Sequence, residues 1–369
     1  MTLKTCLLAC ALAGGWLLPS GGVLAADAGA RAPGFAGLGG AAGNFATVTP
    51  GKPLEFPLDH AAHADYRIEW WYVTANLEDD QGKQYGVQWT LFRSALAPAA
   101  NQPGWSNRNL WLGHAGLTTA TLHRSAQTLA RGGVGQAGVE LQPFRAWIDD
   151  WSLSAPKTQG EPVGDPLNDL RVQAHGGDFS YDLHLQTTRP LVLQGQQGYS
   201  RKSEQGQASY YYSQPFFTAR GQLQVDGQSV DVHGTAWLDR EWSSQYMAGN
   251  QQGWDWFSLH LEDGRQLMLF RLRHADGKDY LSGNWIEADG RTEWLGPDEI
   301  VLTPAAFTTI DAHKVPTEWS VKIPGKGLDI RTTALNPKAW MALSTPYWEG
   351  PVRFSGSQQG VGYLEMTGY

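Results

Sequence analysis

Cysteine is almost absent from this chain of 369 residues: there are two, Cys6 and Cys10, both within the first ten positions. Charge is sparse as well, at 17% of residues, and acidic side chains outnumber basic ones, 36 to 28, for a net −8. The chain therefore lacks the basic footprint of a nucleic-acid binder. Beyond the N-terminal region no stretch reaches the roughly 18 apolar residues that a membrane-spanning helix needs. Also missing are a Gly-x-Ser-x-Gly nucleophile elbow, a P-loop, a dinucleotide fingerprint and a His-Glu-x-x-His metal motif. No cofactor and no metal site is expected.

Aromatic residues are plentiful, 11% of the chain with 17 Trp among them, alongside 44 Gly and 20 Pro. A coiled coil or a disordered chain has the opposite balance. Short aromatic runs alternate with clusters of Gly, Asp, Asn and Pro, and no long stripe of period 3.6 occurs. Tyr85 to Leu91 and Thr235 to Glu241 alternate at period two, which predicts an all-β protein of antiparallel barrels or sandwiches.

The start reads as an export signal. Lys4 supplies a weak basic region, Cys6 to Leu18 is apolar, and Val23-Leu24-Ala25 fits a small-residue cleavage site. A signal peptide over 1–25 implies a periplasmic or secreted product, and a mature chain with no cysteine for a disulfide, thiol nucleophile, Cys-ligated zinc or iron–sulfur cluster. Leu7-Leu8-Ala9-Cys10 resembles a lipoprotein box, but the apolar run before Cys10 is too short for one. Residues 26–49, rich in Ala and Gly, read as a flexible leader.

Two echoes run through the rest. Trp70-Trp71-Tyr72 followed by Leu77-Glu78-Asp79 matches Trp254-Asp255-Trp256 followed by Leu261-Glu262-Asp263, and Leu91-Phe92-Arg93 matches Leu269-Phe270-Arg271. Further on, Gly234 to Asp239 matches Gly360 to Glu365. Two related domains, 50–246 and 247–369, account for this, with a boundary between Ser243 and Gln252 where proteolysis would separate them unless the interface is large. Each is expected to be a closed up-and-down barrel, whose last strand pairs with its first. Glu69 to Tyr72 would then lie beside Trp237 to Trp242.

Several motifs taken together resemble a known family. They are Asp59-His60-Ala61-Ala62-His63 leading into Glu69 to Tyr72, then Tyr211-Tyr212-Ser213, Trp237 to Trp242, Tyr347 to Pro351 and Gly362 to Tyr369. The set resembles the AttH/CrtC group of exported lipocalin-like proteins, also called carotenoid 1,2-hydratase-like. The resemblance implies two tandem lipocalin-like antiparallel β-barrel domains. It also implies an activity, the hydration of an isoprenoid double bond on an apolar substrate. The hydratases carry a His after the Asp of the Asp239 stretch. Here that position is Arg240, which stays protonated and cannot shuttle a proton near neutral pH.

The residues suggest how such chemistry would run. At period two Glu69 shares a face with Trp71, and Asp239 and Glu241 share one with Trp237. If that face lines the calyx, three catalytic carboxyls, Asp239, Glu241 and Glu69, converge in an aromatic cavity. Desolvation and mutual repulsion would raise at least one pKa. The protonated carboxyl could protonate an alkene, Trp faces would stabilise the cation, and a partner carboxylate would activate water. Trp70, Trp71, Tyr72, Trp237, Trp242 and Tyr212 are the candidate substrate-binding residues. Alternation along the strand puts Arg240 on the face opposite Asp239. A competing reading pairs the acids structurally with Arg240 or Arg93, and leaves a non-catalytic binder or carrier of a hydrophobic ligand. A carbohydrate enzyme fits less well, because Asp239 and Glu241 are too close on one strand to flank a sugar. His60 and His63 are spaced like metal ligands but lack a third, and read as a loop packed at a barrel mouth.

Overall fold

The fold is that of a computed structural model, which describes residue 38 and residues 43–98, 101–156 and 164–369. The expected signal peptide at 1–25, with both cysteines, and most of the expected leader lie outside the described residues. Among the described residues no helix is long and apolar enough to cross a membrane. The protein is all-β, and its strands form two antiparallel sheets of thirteen and ten strands.

The first strands show how the sequence specifies this. Strand β1, Ile68–Glu78, and strand β2, Gln84–Ala95, are rich in aromatic and β-branched residues, which suit a pleated, packed surface. Between them the Asp79 carboxylate accepts the backbone N–H groups of Gln81 and Lys83, each at 2.9 Å. Gly82 takes the left-handed conformation at φ 76°, and the chain reverses. Strands β3, Asn109–Thr119, and β4, His123–Arg131, continue the meander.

In the first sheet the hydrogen-bonded order runs from β4 back to β1, then to Gln228–Gln245 and Ala208–Val225, and on through shorter strands to Ala137–Leu141. The second sheet repeats the plan. Its order runs from Thr292–Leu295 back to Gln251–Leu261, then to Gly360–Thr367 and Tyr347–Gly356, and ends at Val301–Ile310. In both, the first strand pairs with the last. In both, the break in the ring falls after the fourth strand. The first sheet curls into a nearly closed barrel and the second into a half-barrel, so the expected closure is complete in neither.

The expected ladder is formed. β1 pairs with Gln228–Gln245, setting Glu69 opposite Trp242, Trp71 opposite Arg240 and Tyr72 opposite Asp239. Cross-strand partners share a face. Glu69, Trp71, Arg240 and Trp242 therefore point into the first barrel, and Trp70, Tyr72, Asp239 and Glu241 point out of it, toward the second sheet. This corrects the expectation that Glu69 joins Asp239 and Glu241. One step of phase between antiparallel strands exchanges the two faces.

Three cores result. One fills the first barrel, around Trp71, Trp89, Leu153 and Trp242. A second fills the half-barrel, around Phe257, Trp285, Trp319 and Trp348. The third lies between the sheets and joins Tyr72, Tyr211 and Trp237 to Trp256, Phe270 and Tyr363. The sheets touch closely at one end. A Cβ at Gly86 would stand 2.5 Å from Cγ of Pro351, and Asn76 donates to the Gly362 carbonyl at 2.8 Å.

Inside the first barrel lies a charge cluster. Arg93 ion-pairs with Glu69, and Arg240 Nη2 lies 2.5 Å from the other carboxylate oxygen. The His63 backbone N–H also donates to Glu69, at 2.9 Å. Arg240 stacks 3.7 Å from the centre of the Trp71 ring, and Trp242 stacks on His63 at 4.0 Å. Burial works to raise the Glu69 pKa, but Arg93, Arg240 and His63 outweigh it and hold the carboxyl well below its ordinary range. Arg240 is inward and fully buried, not outward.

Two outcomes are expected. Glu69→Gln leaves two buried arginines without their counter-charge and should cost about 3–5 kcal/mol in urea unfolding near neutral pH. Because the folded pKa is depressed, this stabilisation is complete above the ordinary value of 4.5 and is lost as pH falls below it, so wild type and variant should converge in acid. The second concerns the junction between the sheets, where Tyr246, Met247 and Ala248 are buried. Limited proteolysis should not separate 50–246 from 247–369, as electrophoresis of the digest would reveal.

Candidate functional site

The outward face of β1 and Gln228–Gln245 forms one wall of a cavity between the two sheets. Its volume is about 310 Å³. Trp70, Tyr72, Asp239 and Glu241 line one side, and Trp254, Trp256, Phe270 and Glu365 the other. The opposed walls are equivalent parts of the two repeats. Tyr72 pairs with Asp239, and Trp256 pairs with Glu365 at the matching place in the second sheet.

Asp239 is 3% exposed. Its carboxyl accepts hydrogen bonds from Tyr211 Oη at 2.7 Å, Ser213 Oγ at 2.5 Å and Trp237 Nε1 at 2.6 Å. Trp256 of the second sheet donates in turn to the Tyr211 hydroxyl at 3.1 Å. These bonds favour the carboxylate, but burial outweighs them and, with Glu241 nearby, pushes the pKa up to about 7. No ion pair reaches Asp239 among the described residues.

Glu365 is in a similar state. It accepts from Trp254 Nε1 at 3.0 Å. Burial, with Asp239 and Glu241 as negative neighbours, pushes its pKa up to about 8. Behind it, Tyr72 donates to Glu349, whose pKa burial and Glu365 raise well above the ordinary value. Glu349 Oε2 is buried with no hydrogen-bond partner.

Glu241 has the opposite surroundings. Lys202 Nζ lies 2.6 Å from its carboxylate, and Ser209 donates to it. The Lys202 ammonium also sits 4.3 Å from the centre of the Phe270 ring and 5.0 Å from those of Tyr211 and Tyr246. Burial lowers the Lys202 pKa although Glu241 works to raise it. On the wall formed by β3, His114 shares a hydrogen bond with Tyr347 at 3.0 Å, and burial pushes its pKa down to about 4. Its Nε2 has no partner.

Of the candidate residues, Asp239, Glu241, Trp70, Tyr72 and Glu69 border the cavity, Glu69 with its carboxylate turned away to Arg93 and Arg240. Trp237 lies in the core behind it, with its indole 6.4 Å from Trp256. Trp71, Trp242 and Tyr212 belong to the core of the first barrel, so the expectation that they line the same cavity is corrected. Glu69 is gripped by Arg93 and Arg240, as the structural reading of the acids had it. His60 binds Tyr212 at 2.6 Å and Asp165 at 3.1 Å, and His63 binds Asp59 at 3.0 Å. Among the described residues no three His, Cys, Asp or Glu side chains form a metal-binding group.

Sequence reasoning missed Glu365, Glu349, Lys202, Tyr211 and His114. Glu365 was within reach, because the second echo aligns it with Asp239. Lys202 and His114 carry no local signal, since only the sheet order brings them to the cavity.

The AttH-like family model matches residues 47–369. A solved structure of a putative AttH (NE1406) from Nitrosomonas europaea is 34% identical, with a TM-score of 0.78, over 88% of this chain and 99% of that one. Kievitone hydratase from Nectria haematococca superposes with a TM-score of 0.64 at 17% identity, over 88% of this chain and 96% of its own. CghA, solved with Sch210972, has a TM-score of 0.50 at 11% identity, over 82% and 88% of the two chains. No match was found among curated proteins. Model match, identity and lipocalin-like fold agree: this chain belongs to the AttH-like family.

Proposed function

We propose that the protein is an exported hydratase, a cofactor-independent hydro-lyase that adds water across a double bond of an isoprenoid, carotenoid-like or other apolar substrate. The observation that carries this reading is Asp239, a buried carboxyl at the wall of an aromatic cavity, bonded to neutral donors only, with a pKa that burial pushes up to about 7. The Asp239 proton adds to one alkene carbon, leaving a cation at the other and a carboxylate on Asp239. The faces of Trp70, Trp254 and Trp256 stabilise that positive charge. Water attacks the cation, and a carboxylate accepts its proton. Glu241, ion-paired with Lys202, serves as that base and passes the proton on to solvent, from which Asp239 is reprotonated. Arg240 has no part in proton transfer, since its guanidinium lies on the other face of the strand. Periplasmic or extracellular placement follows from the signal-like start, and the reading treats 50–246 and 247–369 as two domains that build one site. One of the structurally similar proteins is a hydratase by name, but that likeness is of fold, and the reading rests on the cavity.

A second reading, a carrier of a hydrophobic ligand without catalysis, is supported by the leucine and aromatic lining around Phe92, Leu110 and Leu112. Lipids that co-purify with the protein, identified by mass spectrometry, would supply the ligand under either reading.

Incubation with a panel of isoprenoid alkenes in heavy-oxygen water should yield labelled alcohols. Asp239→Asn should lower the rate by about 10²–10⁴-fold, the scale of general acid catalysis. The wild-type rate should fall as pH rises through about 7. Undiminished turnover in the Asn variant would rule out Asp239 as the acid, and ligand retention without any alcohol would leave the carrier.

Protonation can also be read without a substrate. The folded pKa of Asp239 lies above its ordinary value of 3.8, so its contribution to stability is complete below that value and is lost as pH rises through about 7. Asparagine does not titrate. The melting temperature of Asp239→Asn minus that of wild type should therefore increase between about pH 5 and pH 8. A flat difference would mean that Asp239 is already ionised in the folded protein.

A further inference from the structure

The chain is acidic overall but not uniformly so. Between Asp80 and Glu140 there is no acidic residue, although the chain has 36. The same stretch holds Lys83, Arg93, Arg108, Arg124 and Arg131. Arg93 is neutralised by Glu69, and Arg124 pairs with Asp178. Arg108 and Arg131 are exposed, with no ion-pair partner among the described residues.

Apolar side chains are exposed in the same stretch. Trp105 is 76% exposed, Leu96 64%, Leu129 59% and Leu110 41%. With Val134, these are five of the nine large apolar side chains exposed among the described residues. They lie together. Leu110 is opposite Ser94 on β2 and Arg131 on β4, and Leu112 is opposite Phe92 and Leu129. Arg131 donates to the Trp105 carbonyl at 2.7 Å and lies 6.0 Å from the centre of its ring. The Arg108 backbone carbonyl accepts from the Leu96 backbone N–H at 2.9 Å.

This strip is continuous with the cavity, because Leu110, Leu112, Leu129 and Phe92 are also among its lining residues. A path of leucine and phenylalanine thus leads from solvent to Trp70 and Asp239. We propose that this face of β3 and β4 docks on an anionic phospholipid surface, and that an apolar ligand passes from the bilayer along the leucine strip into the inter-sheet cavity. Trp105 and Leu96 enter the interface, where an indole is well placed. Arg108 and Arg131 meet the headgroups, and β3 and β4 contribute no carboxylate of their own to repel them, the acids that reach β4 being bonded to it, Asp149 at Thr128 and Asp178 at Arg124. The proposal goes beyond the hydratase reading, and docking requires no catalysis.

Co-sedimentation of the full chain with vesicles of phosphatidylglycerol and phosphatidylcholine, and of phosphatidylcholine alone, tests it. The wild type should bind the anionic vesicles, and should release them as salt is raised. Arg108→Gln with Arg131→Gln should reduce binding about tenfold or more, given roughly 1 kcal/mol for each basic residue at an anionic surface. Leu96→Ser with Trp105→Ser should reduce it on both vesicle types. All four side chains are exposed, so unchanged melting curves will verify that the variants fold. All proteins carry the same N-terminus, so differences between them report this face alone. Binding that is equal in wild type and variants, or absent throughout, would overturn the proposal. So would concentration-dependent self-association that the Leu96/Trp105 variant abolishes, which would identify the strip as a contact between copies. No substrate is present, so failure here and failure of the hydratase reading are separate results.

Discussion

The structure depends on a single antiparallel ladder, the pairing of β1 with Gln228–Gln245. It joins the two ends of the first ring of strands, and each of its faces serves a different purpose. Side chains alternate across a strand, so Arg240 and its neighbour Asp239 occupy separate environments although they are adjacent in sequence. Inward, Glu69 has two guanidinium partners and is held ionised. Outward, Asp239 has only neutral donors and takes up a proton near neutral pH. Both carboxyls are buried, and what separates their pKa values is direct ion pairing: two guanidinium groups grip Glu69, whereas the nearby Lys202 ammonium pairs with Glu241 and not with Asp239.

The same ladder is repeated in the second sheet, where Gln251–Leu261 meets Gly360–Thr367. The repeats place their outward faces against each other, and the third core forms there. The cavity is therefore a property of the pair. Neither sheet alone has two walls. The two junctions of tyrosine or tryptophan with a carboxyl, Tyr72 with Asp239 and Trp256 with Glu365, give the cavity two similar but unequal sides.

Much of this was legible in the sequence. Period-two alternation specified strands, the echoes indicated duplication, and the need to satisfy edge strands led to the pairing of first with last. Asp239, Glu241, Trp70 and Tyr72, all candidates from the sequence, lie along one cavity. What failed was the phase. Glu69 and Trp71 alternate as cleanly as Trp70 and Tyr72, and nothing in a hydrophobic pattern tells the inside of a barrel from its outside when both are buried. Here both faces of the strand are covered, one by the barrel interior and one by the second sheet, so the usual contrast of apolar and polar faces is lost. Closed barrels were also expected on the principle that closure removes edges, but the break after the fourth strand persists in both sheets.

The two sheets are not parallel plates. At Gly86 the backbone of β2 comes so close to Pro351 that no side chain fits between them, while further along β1, around Trp70, the gap is wide enough for a cavity. From Asn76 to Tyr72 is four residues, about 13 Å of strand. The space between the sheets is therefore pinched at a glycine, with the Asp239 cavity on one side and a smaller cleft beside Asn76, Gly234 and Pro351 on the other. A methyl group at the pinch would act as a shim between the sheets, and the width available to a ligand beside Asp239 would then depend on a position that the ligand never touches.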